Sequence, residues 1–466
     1  MLIWCSKILV YKVLGTVDLS KKTFLSVYIS YDCVYANFVN LSSNRQSLEI
    51  YKDKSVLSYN IAEFSSNVML EFWMSYFKSL ERKWGIQFLE KPKFSNGRIV
   101  LNLKVNCKVG ILRSNPSYKK IFSSLREFSL DIKPYASDTT FEKDLLTDLA
   151  IFLDYDDVIL LDLNSRFFKI SRVEKEEGDL KGSLDKVKLP SYRFVSEKNK
   201  WEDLPVLLEL LNGPKYKTFL SKHLSSNFLS NIWGNFLLKP VLETNSVLLK
   251  DFIRSYITIQ LLALCSDSSK LNKDFGVKPY NNLLWLTGDL INLTSFKELL
   301  LSVIDGLELR GTFDVALDKS GLIHTLGRTF CLGEKSDDIE LTSESFLPSF
   351  TKVFAPDLDL KPDVRKVIFS GTLFDTKDKS IDVFATSSEL TEINIKNPKT
   401  TYLEGAFIKR AYIEGYTKPF DLRCSMEEII WEKILFDCRV KPVIYGPDVK
   451  ANSIKFNMWL SGESYS

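Results

Sequence analysis

Histidine is nearly missing from this chain: His223 and His324 are the only two in 466 residues. A histidine-rich metal centre has no raw material here, and a histidine-based triad almost none. The seven cysteines (Cys5, Cys33, Cys107, Cys265, Cys331, Cys424 and Cys438) are scattered, odd in number and never spaced C-x-x-C. Nothing resembles a disulfide framework or a zinc site, and reduced thiols in a cytoplasmic protein are the expectation. There is no dense Lys/Arg run with interleaved aromatics, and 62 basic residues nearly balance 59 acidic ones at a net charge of +3. Nucleic acid is therefore not an expected partner. No apolar run reaches the roughly 18 residues that a membrane span needs. The nearest, "YITIQLLALC" from Tyr256 to Cys265, is short and follows Arg254. The opening "MLIWCSKILVYKVLG" is broken by Lys7 and Lys12 and has no small-residue cleavage site, so it makes a poor signal peptide. It admits at most a weak peripheral membrane contact, and an integral membrane protein is not expected.

What is present is the composition of a soluble globular protein, 45% hydrophobic and 26% charged. The length implies two or three domains. Residues 24–51 alternate and are rich in β-branched and aromatic types, which predicts two or three strands. Met69, Trp73, Tyr76, Phe77, Leu80 and Trp84 recur at helical spacing and predict an amphipathic helix ended by Gly85. A strand is expected over 97–107. A further helix is expected where Phe141, Leu145, Leu149 and Phe152 share a face. The charged segment 173–188 reads as an exposed loop. Three helical stretches follow between 203 and 265, one of them holding His223. Then come a strand ending in Gly288-Asp289, a helix over 295–307, a strand over 312–318 and a short helix containing His324. Beyond about residue 345 the pattern alternates with turn residues near every tenth position, a β-rich module entered through Pro348, Pro356 and Pro362.

One pattern occurs twice. "FLSVYISYDCVYANFV" (24–39) and "VILLDLNSRFFKISRV" (158–173) are both an apolar strand, a polar tight turn and a returning strand. Aligned without gaps they pair Tyr28 with Asp162, Ser30 with Asn164 and Val39 with Val173. Each copy is followed by helices, which points to two related α/β lobes facing a cleft.

These residues resemble the superfamily of actin, hexokinase and heat-shock-chaperone ATPases (ASKHA), whose lobes each open on a hairpin of the form apolar-Asp-x-Gly-Ser/Thr. Glycine there lets backbone N–H groups approach phosphates, and the aspartate positions Mg²⁺ or the attacking water. "LLWLTGDL" (283–290) is similar to the adenosine-cradling Gly-Gly strand, with Asp289 in place of the second glycine. Asp305-Gly306-Leu307, Gly311, Leu317-Asp318, Gly321-Leu322, Leu326-Gly327 and the closing Leu435, Asp437, Arg439 and Pro442 look most like the MutL/GlmL family associated with glutamate mutase. Val440 departs from that family's glycine.

The resemblance implies two duplicated, ribonuclease H-like ATPase lobes and a C-terminal β-rich module: lobe I over 1–155, lobe II over 156–345, the module over 346–466. It implies ATP or ADP with Mg²⁺ as cofactor, at Ser30 and Tyr31, at Asp162, Asn164 and Ser165, and at Gly288 and Asp289, with Asp162 as metal ligand and catalytic candidate. Tyr28 and Ser30 replace the family's Asp and Gly, so lobe I lacks its catalytic pieces. A phenol is neutral at pH 7 and is no ordinary Mg²⁺ ligand. Asn164 for glycine keeps the turn through its tolerance of positive φ. The expected function is a pseudo-ATPase scaffold or chaperone acting on a protein partner. The alternatives are an active Mg-ATP-dependent reactivase of a cobalamin mutase and a division- or pilus-type actin-like assembly protein. Each site residue also has a plain reading: Asp162 and Asp289 as turn caps, and Asp437 with Arg439 as a surface pair.

Overall fold

The computed structural model describes, with short interruptions, residues 23–56, 65–137, 155–199, 282–325, 349–413 and 421–440, together with a few isolated positions such as 257–258, 261 and 458–459. Tyr31, Ser165 and His223 lie outside the described residues, as does most of 200–281. The chain forms two compact units. The first comprises 1–154, 238–241 and 318–347; the second comprises 155–237, 242–317 and 348–466.

The first unit is built on a sheet of β1 (Thr23–Ile29), β2 (Cys33–Leu41), β3 (Leu48–Val56), β6 (Asn106–Leu112) and β7 (Ile132–Ser137). A small hairpin, β4 (Lys93–Ser95) and β5 (Arg98–Val100), lies between. The strand order is β3-β2-β1-β6-β7, an antiparallel meander continued by two parallel strands. Alternation along β1 assigns its two faces. Leu25, Val27 and Ile29 join the core with Met69, Trp73 and Phe77 of α1 (Ser66–Trp84), while Ser26, Tyr28 and Ser30 point the other way. Helix α1 starts where Ser65 accepts the Val68 N–H and stops at Gly85, whose φ of 69° few other residues adopt. Ile121 and Leu125 of α2 (Tyr118–Phe128) complete that core.

The second unit repeats the order and sense of pairing in β10 (Val187–Asn199), β9 (Phe167–Gly178), β8 (Asp157–Leu163), β11 (Asn282–Thr287) and β12 (Gly311–Leu317). Its sheet continues through β13 (Ser349–Ala355), β21 (Trp431–Asp437) and β17 (Leu390–Asn394). Leu299, Leu300 and Val303 of α3 (Phe296–Leu307) bury Ile159, Leu161, Leu284 and Leu286 on one face. This helix opens with a capping box between Ser295 and Glu298. Two antiparallel sheets complete the unit: the pair β14 (Asp357–Leu358) with β19 (Ala411–Tyr412), and β16-β15-β18-β20. The latter comprises β15 (Val367–Asp375), β16 (Lys379–Thr386), β18 (Thr401–Phe407) and β20 (Asp421–Ser425). Phe369 and Phe407 of this sheet stack with Phe354 and Phe436 of the larger one. Among the described residues no helix is long and apolar enough to cross a membrane.

The mixed α/β class is as expected. Four local expectations change. The strand expected over 97–107 splits: β5 ends at Val100, and the sheet strand is β6, whose run Cys107, Val109 and Ile111 is buried. The expected strand thus covers β5 and only the first two residues of β6, Asn106 and Cys107. The segment 173–188 is strand at both ends, because β9 runs to Gly178 and β10 starts at Val187, a long charged ladder whose backbone pairing needs no apolar side chains; residues 179–186 lie outside the described residues. The alternating sequence after residue 345 divides, with β13, β17 and β21 joining the second unit's main sheet. Finally, Asp437 and Arg439 are not a surface pair. Both are buried, and the guanidinium also reaches Asp305, at 2.7 Å to Asp437 Oδ1 and 2.7 Å to Asp305 Oδ1. Trp459 lies 4.8 Å away over its cationic plane.

Removing the cation from that cluster strands two carboxylates away from water. Arg439→Ala is expected to destabilise the second unit by about 3–5 kcal/mol in urea unfolding, the usual cost of breaking a buried pair by deleting one partner.

Candidate functional site

Two adjacent parallel strands, β8 and β11, end side by side, with Asp162 in register with Thr287. The carboxyl ends of parallel strands are where open α/β sheets hold their ligands. Leu163 and Gly288 continue the two chains into their turns. Gly288 has φ +105°, and a Cβ there would stand 2.5 Å from the Leu163 carbonyl oxygen. Only glycine permits that approach. The close passage brings Asp162, Asn164 and Asp289 together, all buried. Asn164 Nδ2 donates to Asp162 Oδ1 at 2.6 Å, and the Asp289 backbone N–H donates to Asn164 Oδ1 at 3.3 Å. Asp289 then opens a short 3₁₀ turn over Asp289–Asn292. Lys169, also buried, is the cross-strand neighbour of Asp162.

The structure thus gathers Asp162, Asn164, Gly288 and Asp289. Asn164 departs from expectation in how it serves the turn. It is not among the residues of positive φ. Its side chain rather than its backbone freedom does the bridging, because a carboxamide can donate at one end and accept at the other. Among the described residues no group of three or more His, Cys, Asp or Glu side chains is placed to hold a metal ion. Asp162, bonded to Asn164 at the end of β8, is a carboxylate of the kind that can hold Mg²⁺ together with substrate phosphates.

The corresponding place in the first unit is filled. Tyr28 is buried and stacks on His324, with ring centroids 4.7 Å apart and planes at 15°, and faces Tyr35 at 6.2 Å. Ser30 is used within its own turn: its hydroxyl donates to the Cys33 carbonyl and accepts the Cys33 N–H, each at 3.1 Å. Asn115 Nδ2 binds the Ser30 carbonyl at 2.7 Å. Segment 318–325 lies on this face of the sheet. Ser26 Oγ donates to the Thr325 carbonyl at 2.6 Å, and Asn37 Nδ2 binds Thr325 Oγ1. Asp318 accepts the N–H groups of Leu322 and Ile323 at 2.8 and 3.0 Å. Gly321, at φ +61°, presses so closely on the Tyr35 ring that a Cβ would lie 2.8 Å from it. Burial pulls the Lys52 ammonium below its usual pKa, opposed by the nearby Asp318 charge.

His324 is the participant that sequence reading missed. It lies 296 positions from Tyr28, and neither residue carries a signal for the other. The resemblance motifs Asp305, Asp437 and Arg439 belong to the ion cluster described above.

Gly288→Ala is expected to cost more than the roughly 1 kcal/mol that strained backbone alone implies, because the methyl group meets a backbone carbonyl. Thermal unfolding checks this; a variant as stable as the parent would mean that the two turns separate freely.

No known family model matches the chain, and no curated protein matches it in sequence. Among solved structures, the chain is similar to the ethanolamine utilization protein EutJ from Carboxydothermus hydrogenoformans, at 11% identity and a TM-score of 0.34, covering 67% of this chain and 90% of that one. It is similar to an Aquifex aeolicus member of the Ppx/GppA family at 10% identity and a TM-score of 0.25, over 56% of this chain and 65% of that one. It is also similar to a ROK family transcriptional regulator, a homolog of the E. coli MLC protein, at 10% identity and a TM-score of 0.30, over 66% and 78%. Likenesses this small carry no activity over to this chain.

Proposed function

We propose that this chain is a degenerate protein of the actin/hexokinase/heat-shock ATPase type, built of two duplicated lobes, that acts in the cytoplasm as a non-hydrolysing scaffold or chaperone for a protein partner. One observation carries the reading. Where such a fold needs a carboxylate in its first hairpin, Tyr28 stands buried under His324, and the serine that follows bonds its own turn. A stacked aromatic pair neither ligates Mg²⁺ nor orients a water for attack on phosphate. The identical strand order and sense in the first five strands of each sheet supports the duplication.

The second unit supports a narrower nucleotide contact. Asp162 would hold Mg²⁺ through its carboxylate, and the Gly288 turn would present backbone to an anionic ligand. Bound Mg²⁺ would neutralise phosphate charge. With Tyr28 in the other hairpin, the second carboxylate of an attack geometry is missing. Nucleotide would then act as a conformational ligand rather than a substrate. A second reading, an active Mg-ATP-dependent reactivase of the MutL/GlmL kind, is favoured by the gathering of Asp162, Asn164 and Asp289 alone.

Purified protein with millimolar Mg-ATP is expected to release no phosphate above background. Mg-ADP is expected to raise the melting temperature, and Asp162→Ala to abolish that rise, measured from the variant's own ligand-free value, which the loss of the buried Asn164–Asp162 bond lowers. Saturation at about 100 times Kd corresponds to about 2.7 kcal/mol of stabilisation. Steady phosphate release would sink the scaffold reading in favour of the reactivase.

A further inference from the structure

The Asn164 carboxamide occupies both polar ends of the second unit's candidate site at once. Its Nδ2 donates to Asp162 Oδ1 at 2.6 Å, and its Oδ1 accepts the Asp289 N–H at 3.3 Å. Its orientation is forced by its neighbours. An ionised carboxylate only accepts and a backbone N–H only donates, so the amide fits one way round. All three residues are buried, at 2–4% exposure, where a bond to a charged group is strong and an unmet one costly.

A magnesium nucleotide brings the same two kinds of group, a cation for the carboxylate and a phosphate oxygen for the backbone N–H. We infer that Asn164 is a built-in substitute for that ligand: a residue whose carboxamide competes with Mg-nucleotide for Asp162 and the Asp289 N–H. The inference rests on the reading that this site takes a magnesium nucleotide. Glycine at 164 would remove both of these bonds, and with them the competition that the carboxamide offers at Asp162 Oδ1 and at the Asp289 N–H. Lys169, the cross-strand neighbour of Asp162, is the other charged group flanking the carboxylate on this hairpin. It is unchanged in this comparison and contributes equally to parent and variants. The Gly288–Leu163 approach does not depend on residue 164's side chain, so the turns themselves persist without it.

The test compares wild type, Asn164→Gly and Asn164→Ala by calorimetric titration with Mg-ADP and with ADP in EDTA, after ligand-free melting curves confirm folding. Alanine removes the carboxamide without glycine's added backbone freedom, so it keeps the comparison readable should the glycine variant unfold. The expected result is Mg-ADP binding at least tenfold tighter in the variants, about 1.4 kcal/mol, with a ligand-free melting temperature at or below that of wild type. The gain should be absent without Mg²⁺. Affinity that is unchanged or weaker, binding undetectable in all three proteins, or an equal gain in EDTA would each overturn the inference. Phosphate release by wild type would overturn the scaffold reading separately, and would leave the affinity comparison intact.

Discussion

The approach of Gly288 to the Leu163 backbone is the constraint on which the second unit's candidate site depends. Parallel pairing of β8 with β11 ends at Asp162 and Thr287, and the two chains must then turn within contact distance. A side chain at 288 would hold them apart. Because it is glycine, at φ +105°, the Asp289 N–H comes within reach of Asn164, and Asn164 within reach of Asp162. One missing Cβ thereby links two carboxylate-bearing turns 127 positions apart in sequence (162 to 289).

The rest of the second unit places unusual weight on buried charge. Arg439 is held by Asp305 and Asp437, and Arg172 binds Asp157 through two bonds of 2.9 and 2.6 Å. Asp314 receives the Tyr155 hydroxyl at 2.6 Å and lies 3.2 Å from Lys352. Burial raises the Asp314 pKa, with Lys352 and Tyr155 opposing. A carboxyl raised in the folded state binds protons more readily there than in the unfolded chain. Its share of stability is therefore present at low pH and declines as pH climbs through the folded value. Such groups add little net stability compared with well-packed apolar residues, but each is costly to break singly.

The first unit uses the equivalent face differently. Its hairpin carries Tyr28 where the second carries Asp162, and segment 318–325 is laid over it through Ser26, Asn37 and the His324 ring. Stacking buries apolar ring area that a carboxylate would have to keep solvated. Tyr28, Cys33 and Tyr35 form a small buried cluster on this face, apart from the main core on the other.

Much of this was legible in the chain itself. Period-two and period-3.6 patterns located β1, β2, β8, α1 and α3, and the gapless match of 24–39 with 158–173 exposed the repeated hairpin, because burial on one face or both leaves its mark locally. The Tyr28 and Asp162 difference was equally plain. What the sequence could not disclose were relations between distant residues: His324 over Tyr28, Arg439 between Asp305 and Asp437, and Asn164 between Asp162 and Asp289. β6 extends past the segment whose pattern predicts a strand, and the 167–199 ladder is not marked at all beyond residue 173, since a charged ladder lacks the apolar alternation of a half-buried strand. Local patterning determined where most of the described strands lie and which positions are candidates for a site. Tertiary structure alone decided which polar groups meet, because hydrogen bonds act over about 3 Å and only the folded chain brings their partners that close.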